Sequence, residues 1–166
     1  TEKLLRRAEG AGCPVVVLTV DLPVASNRLT LSRFIKRDRR DCTQCHAVDS
    51  YGSRNTSFDR KPMFAGTDVT DAQFNTPGLT WEFVDRLKNA TPMKVVLKGI
   101  VTAEDAERCI AHGVDGIVVS NHGARQLDRS LATAHALEDV VRAVDGRLEV
   151  WVDGGIVEEQ QLILRR

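Results

Sequence analysis

The stretch KVVLKGIVTAEDAERCIAHGVDGIVVSNHG, residues 94–123, contains two short apolar runs joined by a helical pattern. The runs KVVLKG and GIVVSNHG are rich in Val, Ile and Leu without polar alternation, which is typical of strands buried on both faces of a parallel sheet. The segment between them has Thr102 as a helix N-cap, Glu104 and Asp105 in its first turn, and Gly113 as its stop. The stretch therefore predicts a β-α-β unit.

The same alternation extends to both sides of this unit. PVVVLTVD (14–21) and LEVWVDGG (148–155) have the same apolar composition and predict two further strands that are buried on both faces. Helical patterns lie at 2–12, 80–90 and 132–146, so the chain is predicted to be an α/β protein with right-handed crossovers. A long excursion at about 24–79 interrupts the pattern, and within it LTLSRFIKRDRRD has a helical pattern. Loops of this length in compact domains are usually functional or mobile.

The composition is that of a globular chain of one-domain length. Of its 166 residues, 42% are hydrophobic and 28% are charged, and 23 basic residues balance 23 acidic ones. A net charge of zero gives no broad field that would attract nucleic acid, so a small-molecule partner is favoured. No apolar run approaches the roughly 20 residues of a membrane span, and the start of the chain lacks a signal-peptide core, which predicts a cytoplasmic protein. The apolar surroundings of Cys13 and Cys109 predict that both are small core residues.

Polar residues follow each of the four predicted strands. In parallel sheets and barrels, ligands bind at the C-terminal ends of strands, where the β-α loops converge. Taken singly, Asp21 is explained equally well as a helix cap, Lys98 as a solvated side chain and His122 as a turn residue. The four ends together predict a ligand site containing Thr19, Asp21, Lys98, Ser120, Asn121, His122, Arg125, Asp153, Gly154 and Gly155.

One continuous motif resembles a known family. KGIVTAEDAERCIAHGVDGIVVSNHGARQLD (98–128), followed by DGGI, is similar to the FMN-dependent α-hydroxy acid oxidases and dehydrogenases, which include glycolate oxidase and lactate oxidase. TVDLPVASNR (19–28) resembles the fourth-strand motif of that family, and TWEFVDRLKNATPMKVVLKG (80–99) resembles the approach to its next strand. The resemblance implies a partial (β/α)8 TIM barrel over residues 1–166, comprising about strands four to seven, with FMN at the C-terminal face. It also implies a homo-oligomeric full-length parent.

The resemblance implies roles for the substrate-facing residues. His122 would take the α-proton or hydroxyl proton of an L-2-hydroxy acid of the lactate or glycolate class, and Asp21 would pair with it. Arg28 and Arg125 would hold the substrate carboxylate. These chemical types suit the reaction, because a guanidinium binds a carboxylate bidentately and an imidazole beside a carboxylate is a suitable base near neutral pH.

The remaining residues of the motif would bind the cofactor. Lys98 would face the N1/O2 edge of the flavin, where a cation stabilises the negative charge that arrives on reduction. By the same resemblance, the isoalloxazine ring would form hydrogen bonds with Thr19 and Ser120. The ribityl and phosphate side of FMN would be lined by Asp153, Gly154 and Gly155.

The sequence also departs from the family pattern. A basic residue usually follows Asp-Gly-Gly-Ile there, but Val157 stands here and is followed by Glu158 and Glu159, which would oppose a phosphate. About half of the family barrel lies outside these residues, so we expect open strand edges and a chain that is marginally stable alone or depends on association. The alternative function is therefore a truncated, catalytically inactive remnant with a structural or interaction role.

CTQCH, residues 42–46, matches the C-x-x-C-H pattern of covalent haem attachment. Attachment would need export and a helical haem domain, both of which the rest of the sequence disfavours. A zinc site at the same residues lacks a second closely spaced ligand pair, so no metal is predicted. The basic run RFIKRDRRD is interrupted by acidic residues and is interpreted as a solvated helical face, not a nucleic-acid surface.

Overall fold

A computed structural model describes residues 1–23, 29–39, 62–68, 77–126 and 130–154 of the chain. Four strands form one parallel sheet in sequence order: β1 (Val15–Thr19), β2 (Lys94–Lys98), β3 (Gly116–Val119) and β4 (Glu149–Val152). The helices in chain order are α1 (Glu2–Gly10), α2 (Leu29–Arg37), α3 (Trp81–Ala90), α4 (Ala103–Ala111) and α5 (Thr133–Val144), with short 3-10 turns at Pro62–Phe64 and His122–Ala124. The predicted β-α-β pattern is confirmed, and each strand and helix lies within its predicted range.

The register of the sheet aligns the ends of its strands. Thr19 lies opposite Lys98, and Lys98 lies opposite Val118. Val119 in turn lies opposite Val152. The residues that follow the four strands therefore lie along one edge of the sheet.

The hydrophobic core lies between the sheet and the helices on one of its faces. Val95, Leu97, Ile117 and Val119 alternate along the central strands and are almost fully buried. Each such side chain contributes about 1.5–3 kcal/mol to stability when it is removed from water. They pack in one cluster with residues of four helices, namely Leu5, Val84, Leu87, Ala106, Cys109, Ala136, Val140 and Val144.

The opposite face of the sheet is less covered by the described residues. Val15 and Val17 on β1 are 39% and 52% exposed, and Trp151 on β4 is 46% exposed. The Trp151 ring lies over Gly116, where a Cβ atom would come within 2.6 Å of Cζ3. In a (β/α) barrel the helices pack on one face of the sheet, as they do here. In a doubly wound sheet the helices cover both faces.

Two expectations about burial were wrong. β2 and β3 are buried as predicted, but β1 and β4 are the edges of the described sheet and expose apolar side chains. Cys109 is a core residue, whereas Cys13 is exposed because it lies in the turn after α1, where its N–H donates to the carbonyl of Ala8.

Part of the long excursion packs on α1. Lys3 Nζ donates to the carbonyl of Gly66 at 2.7 Å, and the Arg7 guanidinium donates to the carbonyls of Met63 and Ala65. The helical pattern in LTLSRFIKRDRRD is confirmed by α2. The CTQCH motif lies outside the described residues.

Asp115 directly precedes β3 and links the N-terminal ends of β2 and β3. Its Oδ2 accepts hydrogen bonds from the Val95 N–H at 2.8 Å and from Lys88 Nζ at 2.9 Å. Partial burial raises the pKa of Asp115, but the Val95 N–H and the Lys88 ammonium group outweigh it, so this pKa lies below its usual value of 3.8. The stabilisation is therefore present above that value and is lost as the pH falls through the depressed pKa.

We predict that Asp115→Ala opens the start of β2. The buried Val95 N–H loses its acceptor, which costs about 1–3 kcal/mol and should accelerate amide hydrogen exchange there by roughly 5- to 150-fold. Mass spectrometry of the peptide containing Val95 measures this, with Asp139→Ala on the exposed face of α5 as the control. Equal exchange in both variants would contradict the assignment.

We also predict that the 166-residue chain, as a dilute monomer, has no cooperative thermal transition. The apolar side chains of Val15, Val17 and Trp151 stay partly exposed to water, so their burial contributes less to the stability of the monomer. Scanning calorimetry of a sample shown to be monomeric by sedimentation tests this. A sharp transition in such a sample would contradict the prediction.

Candidate active site

Lys98, Ser120 and Asp153 form a polar cluster across β2, β3 and β4. Lys98 Nζ donates to Ser120 Oγ at 2.5 Å and to the Asp153 carboxylate, at 2.9 Å to Oδ1 and 2.8 Å to Oδ2. The Lys98 side chain is only 22% exposed, so it does not extend into solvent. The strand ends thus hold a cation in a fixed position.

The electrostatics of this cluster favour the ionised form of Asp153. Hydrogen bonds from Lys98 and Ser120 hold the pKa of Asp153 below its usual value, against a smaller opposing effect of burial. The charges of Lys98 and His122 lower it further. Asp153 therefore stays a carboxylate throughout the physiological pH range.

His122 and Asp21 form a second pair beside this cluster. The His122 Nδ1 atom lies 3.3 Å from Asp21 Oδ1, although the two residues are 101 positions apart in sequence. Asp21 is the more buried partner, and within the described part of the chain its buried Oδ2 atom has no hydrogen-bond partner. A proton on Nδ1 shared with this carboxylate leaves Nε2 as the imidazole atom that can accept a proton.

Gly99 makes the approach of Asp21 possible. A Cβ atom at Gly99 would lie 2.7 Å from Asp21 Cβ and 2.9 Å from its backbone nitrogen, and the φ angle of Gly99 is +111°. No other residue fits both the space and the backbone angle. Gly99 is not among the site residues predicted from the sequence, although a glycine directly after a strand can indicate a close backbone approach.

Ser120 connects the two groups. Its buried hydroxyl accepts from Lys98 Nζ and also from the backbone N–H of His122 at 3.2 Å. The position of the imidazole and that of the cation are therefore linked through one oxygen atom.

The structure describes most of the other predicted site residues but not all of them. Thr19 ends β1 opposite Lys98, and Arg125 follows the His122 turn with an exposed side chain. Gly154 packs against the His122 turn, as described below. Arg28 and Gly155 lie outside the described residues.

Neither a metal site nor a reactive Cys109 thiol is supported by the described residues. These residues contain no group of three or more His, Cys, Asp or Glu side chains that is placed to hold a metal ion. Burial raises the pKa of the Cys109 thiol to about 12, so it is not a nucleophile at neutral pH. No described helix is both long enough and apolar enough to cross a membrane.

Comparison with known proteins identifies the family. The family model for FMN-dependent dehydrogenase matches residues 1–162, nearly the whole chain. The chain belongs to the FMN-dependent dehydrogenase family. Its cofactor is accordingly FMN.

Several relatives in this family are 2-hydroxy acid oxidases. The chain is 42% identical over 155 residues to a peroxisomal (S)-2-hydroxy-acid oxidase of Oryza sativa subsp. indica, which covers 92% of this chain and 40% of that protein. It is 38% identical over 160 residues to an L-lactate oxidase of Nostoc sp., and the alignment covers 94% of this chain and 42% of that protein. The chain thus spans about two fifths of the length of these relatives.

Solved structures of the family have the same fold. A mandelate oxidase variant with a C4a-OH-FMN adduct aligns with a TM-score of 0.66 and 38% identity over 94% of this chain and 39% of its own length. A mandelate oxidase with (S)-2-phenylpropionate also aligns with a TM-score of 0.66, at 37% identity over 93% of this chain and 38% of its own length. The four-stranded sheet is therefore part of a TIM-barrel family fold.

The donor set at the strand ends fits FMN. The isoalloxazine ring presents oxygen and nitrogen acceptors, to which the Lys98 ammonium group can donate. The Asp153 carboxylate suits hydroxyl groups such as those of the ribityl chain.

We predict that Gly99→Ala destabilises the FMN-loaded protein by at least about 1–3 kcal/mol, because the added methyl group collides with the backbone of Asp21. The positive φ angle adds strain. The thermal midpoint of the full-length, FMN-loaded protein measures the effect, because the 166-residue chain alone is predicted to have no cooperative transition. Gly10→Ala is the control, since a Cβ atom there meets nothing within 4 Å. Equal midpoints for the two variants would show that Asp21 is not held by this contact.

Proposed function

We propose that the protein oxidises an L-2-hydroxy acid of the lactate or glycolate class to the 2-oxo acid, with FMN as the electron acceptor. The observation that carries the proposal is the pairing of His122 with Asp21 beside a fixed Lys98 cation. A base, its carboxylate partner and a cation at one sheet edge are the groups this reaction requires. The names of the relatives support the substrate class.

In this proposal His122 is the catalytic base. Asp21 holds the imidazole so that Nε2 faces the substrate, and its negative charge stabilises the imidazolium that forms when the proton is taken. Asp21 is mostly buried, which strengthens this interaction relative to one in water. The base is thereby oriented before substrate binds.

The substrate carboxylate is held by arginine in this proposal. Arg125 follows directly from the turn that carries His122, so a carboxylate bound to its guanidinium group lies beside the base. Arg28 is proposed as the second carboxylate ligand on the strength of the TVDLPVASNR motif alone. Fixing the carboxylate presents the α-carbon to His122 in one orientation.

FMN, when bound, supplies the two-electron acceptor for this reaction. Lys98 would hold its N1/O2 edge, Thr19 and Ser120 would hydrogen-bond the isoalloxazine, and the ribityl and phosphate side would be lined by Asp153, Gly154 and Gly155. We propose that residues 1–166 are one part of a single FMN-binding domain and supply about strands four to seven of its barrel. The parallel order of the four strands and their helices on one face support this placement.

Cellular location and assembly stay predictions. We expect a cytoplasmic protein and a homo-oligomeric full-length parent. Fluorescent tagging and light scattering of the full-length protein would test the two expectations separately.

We predict that His122→Gln lowers the rate of 2-hydroxy acid oxidation by about 10²- to 10⁴-fold, because the base is lost. FMN should stay bound, since Lys98 and Ser120 are unchanged. Stopped-flow absorbance of the flavin under anaerobic conditions measures reduction per bound FMN. His135→Gln, at an exposed position on α5, is the matched control and should behave as the wild type.

Two outcomes would contradict the proposal. Unchanged flavin reduction in His122→Gln would remove this residue from the mechanism. A wild-type protein that binds FMN but is reduced by none of L-lactate, glycolate or (S)-mandelate would favour the alternative, an inactive remnant of the family.

A further inference from the structure

The turn that carries His122 has an uncommon backbone. His122, Gly123 and Ala124 all have positive φ angles, of 58°, 66° and 55°. For a residue other than glycine, this left-handed conformation costs about 1–2 kcal/mol, and two of the three are not glycine. Such a turn persists only where its surroundings stabilise it.

The Asn121 side chain supplies that stabilisation. Its Oδ1 atom accepts hydrogen bonds from the N–H groups of Gly123 at 3.1 Å and Ala124 at 3.3 Å. Its Nδ2 group donates to the carbonyl of Leu131 at 3.1 Å, which ties the turn to the segment before α5. One amide therefore satisfies two backbone donors and fixes the turn at both sides.

Gly154 packs against the hydrogen bonds between Asn121 Oδ1 and the turn. A Cβ atom at Gly154 would lie 2.8 Å from the Gly123 nitrogen and 2.9 Å from Asn121 Oδ1. The end of β4 thus packs directly on the turn, with no space for a side chain. Asn121 Oδ1 lies between the two donors and this glycine, so a displaced oxygen has little room in which to find another position.

The His122 side chain is oriented by this turn. Its backbone N–H donates to Ser120 Oγ, and its Nδ1 atom faces Asp21 Oδ1. A backbone that relaxes from positive φ values would swing the imidazole away from Asp21 and change its position relative to Lys98. A misplacement of about 1 Å in a reacting group can cost about 100-fold in rate.

We propose that Asn121 is a positioning residue for His122: its Oδ1 atom holds the left-handed turn that aims the imidazole at the substrate. The inference rests on the proposed function, because it assigns a means of orienting the base of that reaction. Asn121 itself contacts neither FMN nor substrate in this account. Its contribution is to geometry, so it should affect the rate of the chemical step more than the binding of FMN.

Two substitutions separate geometry from side-chain chemistry. Asn121→Asp keeps an acceptor oxygen at the same distance from the backbone, whereas Asn121→Gln keeps the amide but moves its oxygen one methylene farther. Asn89→Ala, at an exposed position on α3, is the control for loss of an amide. Each variant is prepared as the FMN-loaded protein.

The first readout is the anaerobic rate of flavin reduction per bound FMN at saturating 2-hydroxy acid. We expect Asn121→Gln to be slower by about 10- to 100-fold. Asn121→Asp should be slowed less than Asn121→Gln, because it keeps the acceptor oxygen for the Gly123 and Ala124 N–H groups and loses only the Nδ2 hydrogen bond to the Leu131 carbonyl. The added negative charge should raise the apparent substrate Kd in Asn121→Asp, which separates binding from the chemical step.

The second readout is the ¹⁵N resonance of His122 Nδ1 in protein labelled at histidine. It should move farther from its wild-type position in Asn121→Gln than in Asn121→Asp. Wild-type reduction rates per FMN in Asn121→Gln, or an equal loss in both variants, would overturn the inference. A wild-type protein that no 2-hydroxy acid reduces overturns the proposed function instead, and the His122 resonance then still decides whether Asn121 orients the imidazole.

Discussion

Parallel pairing of four strands in a single register is the constraint on which the rest of the structure depends. Each strand supplies backbone hydrogen bonds to its neighbour, and its apolar side chains on one face anchor the helices. Because all the strands run in the same direction, residues far apart in sequence reach the same edge. Asp21 and His122 meet there, as do Lys98 and Asp153.

The Ser120 hydroxyl couples the parts of this edge that differ in chemistry. It contacts the Lys98 cation, the Asp153 carboxylate and the backbone N–H of His122. Such networks are strong in a partly buried setting because few water molecules compete for the same donors and acceptors. One buried oxygen thus sets the spacing between the group proposed to bind flavin and the group proposed to take the proton.

Much of this arrangement follows from sequence patterns, for identifiable reasons. Continuous apolar runs and the Thr102 cap report local preferences, so the order and type of the elements were predictable. Polar residues after each strand predicted a cluster of side chains, since the C-terminal ends of parallel strands lie on the same side of the sheet. The exposure of Cys13 was not predictable, because it depends on what packs beside this residue. The apolar runs of the outer strands predicted burial, whereas comparison with the complete family barrel predicted the open edges that the described residues have.

The close contacts at this edge were also beyond sequence patterns. Gly99 and Gly154 look like ordinary turn glycines, and only the three-dimensional structure brings them against Asp21 and the His122 turn. The role of Asn121 depends on a backbone conformation that no local pattern specifies. Contacts of this kind arise from tertiary packing, which propensity and periodicity do not encode.

The central claim is that this edge binds FMN and delivers electrons to it from a 2-hydroxy acid. The most direct measurement is the visible spectrum of the FMN-loaded protein before and after anaerobic addition of L-lactate, glycolate or (S)-mandelate. The account predicts that FMN stays bound through gel filtration and that its visible band bleaches with at least one of these acids. A protein that retains no FMN, or whose bound FMN keeps its oxidised spectrum with all three, would contradict the account.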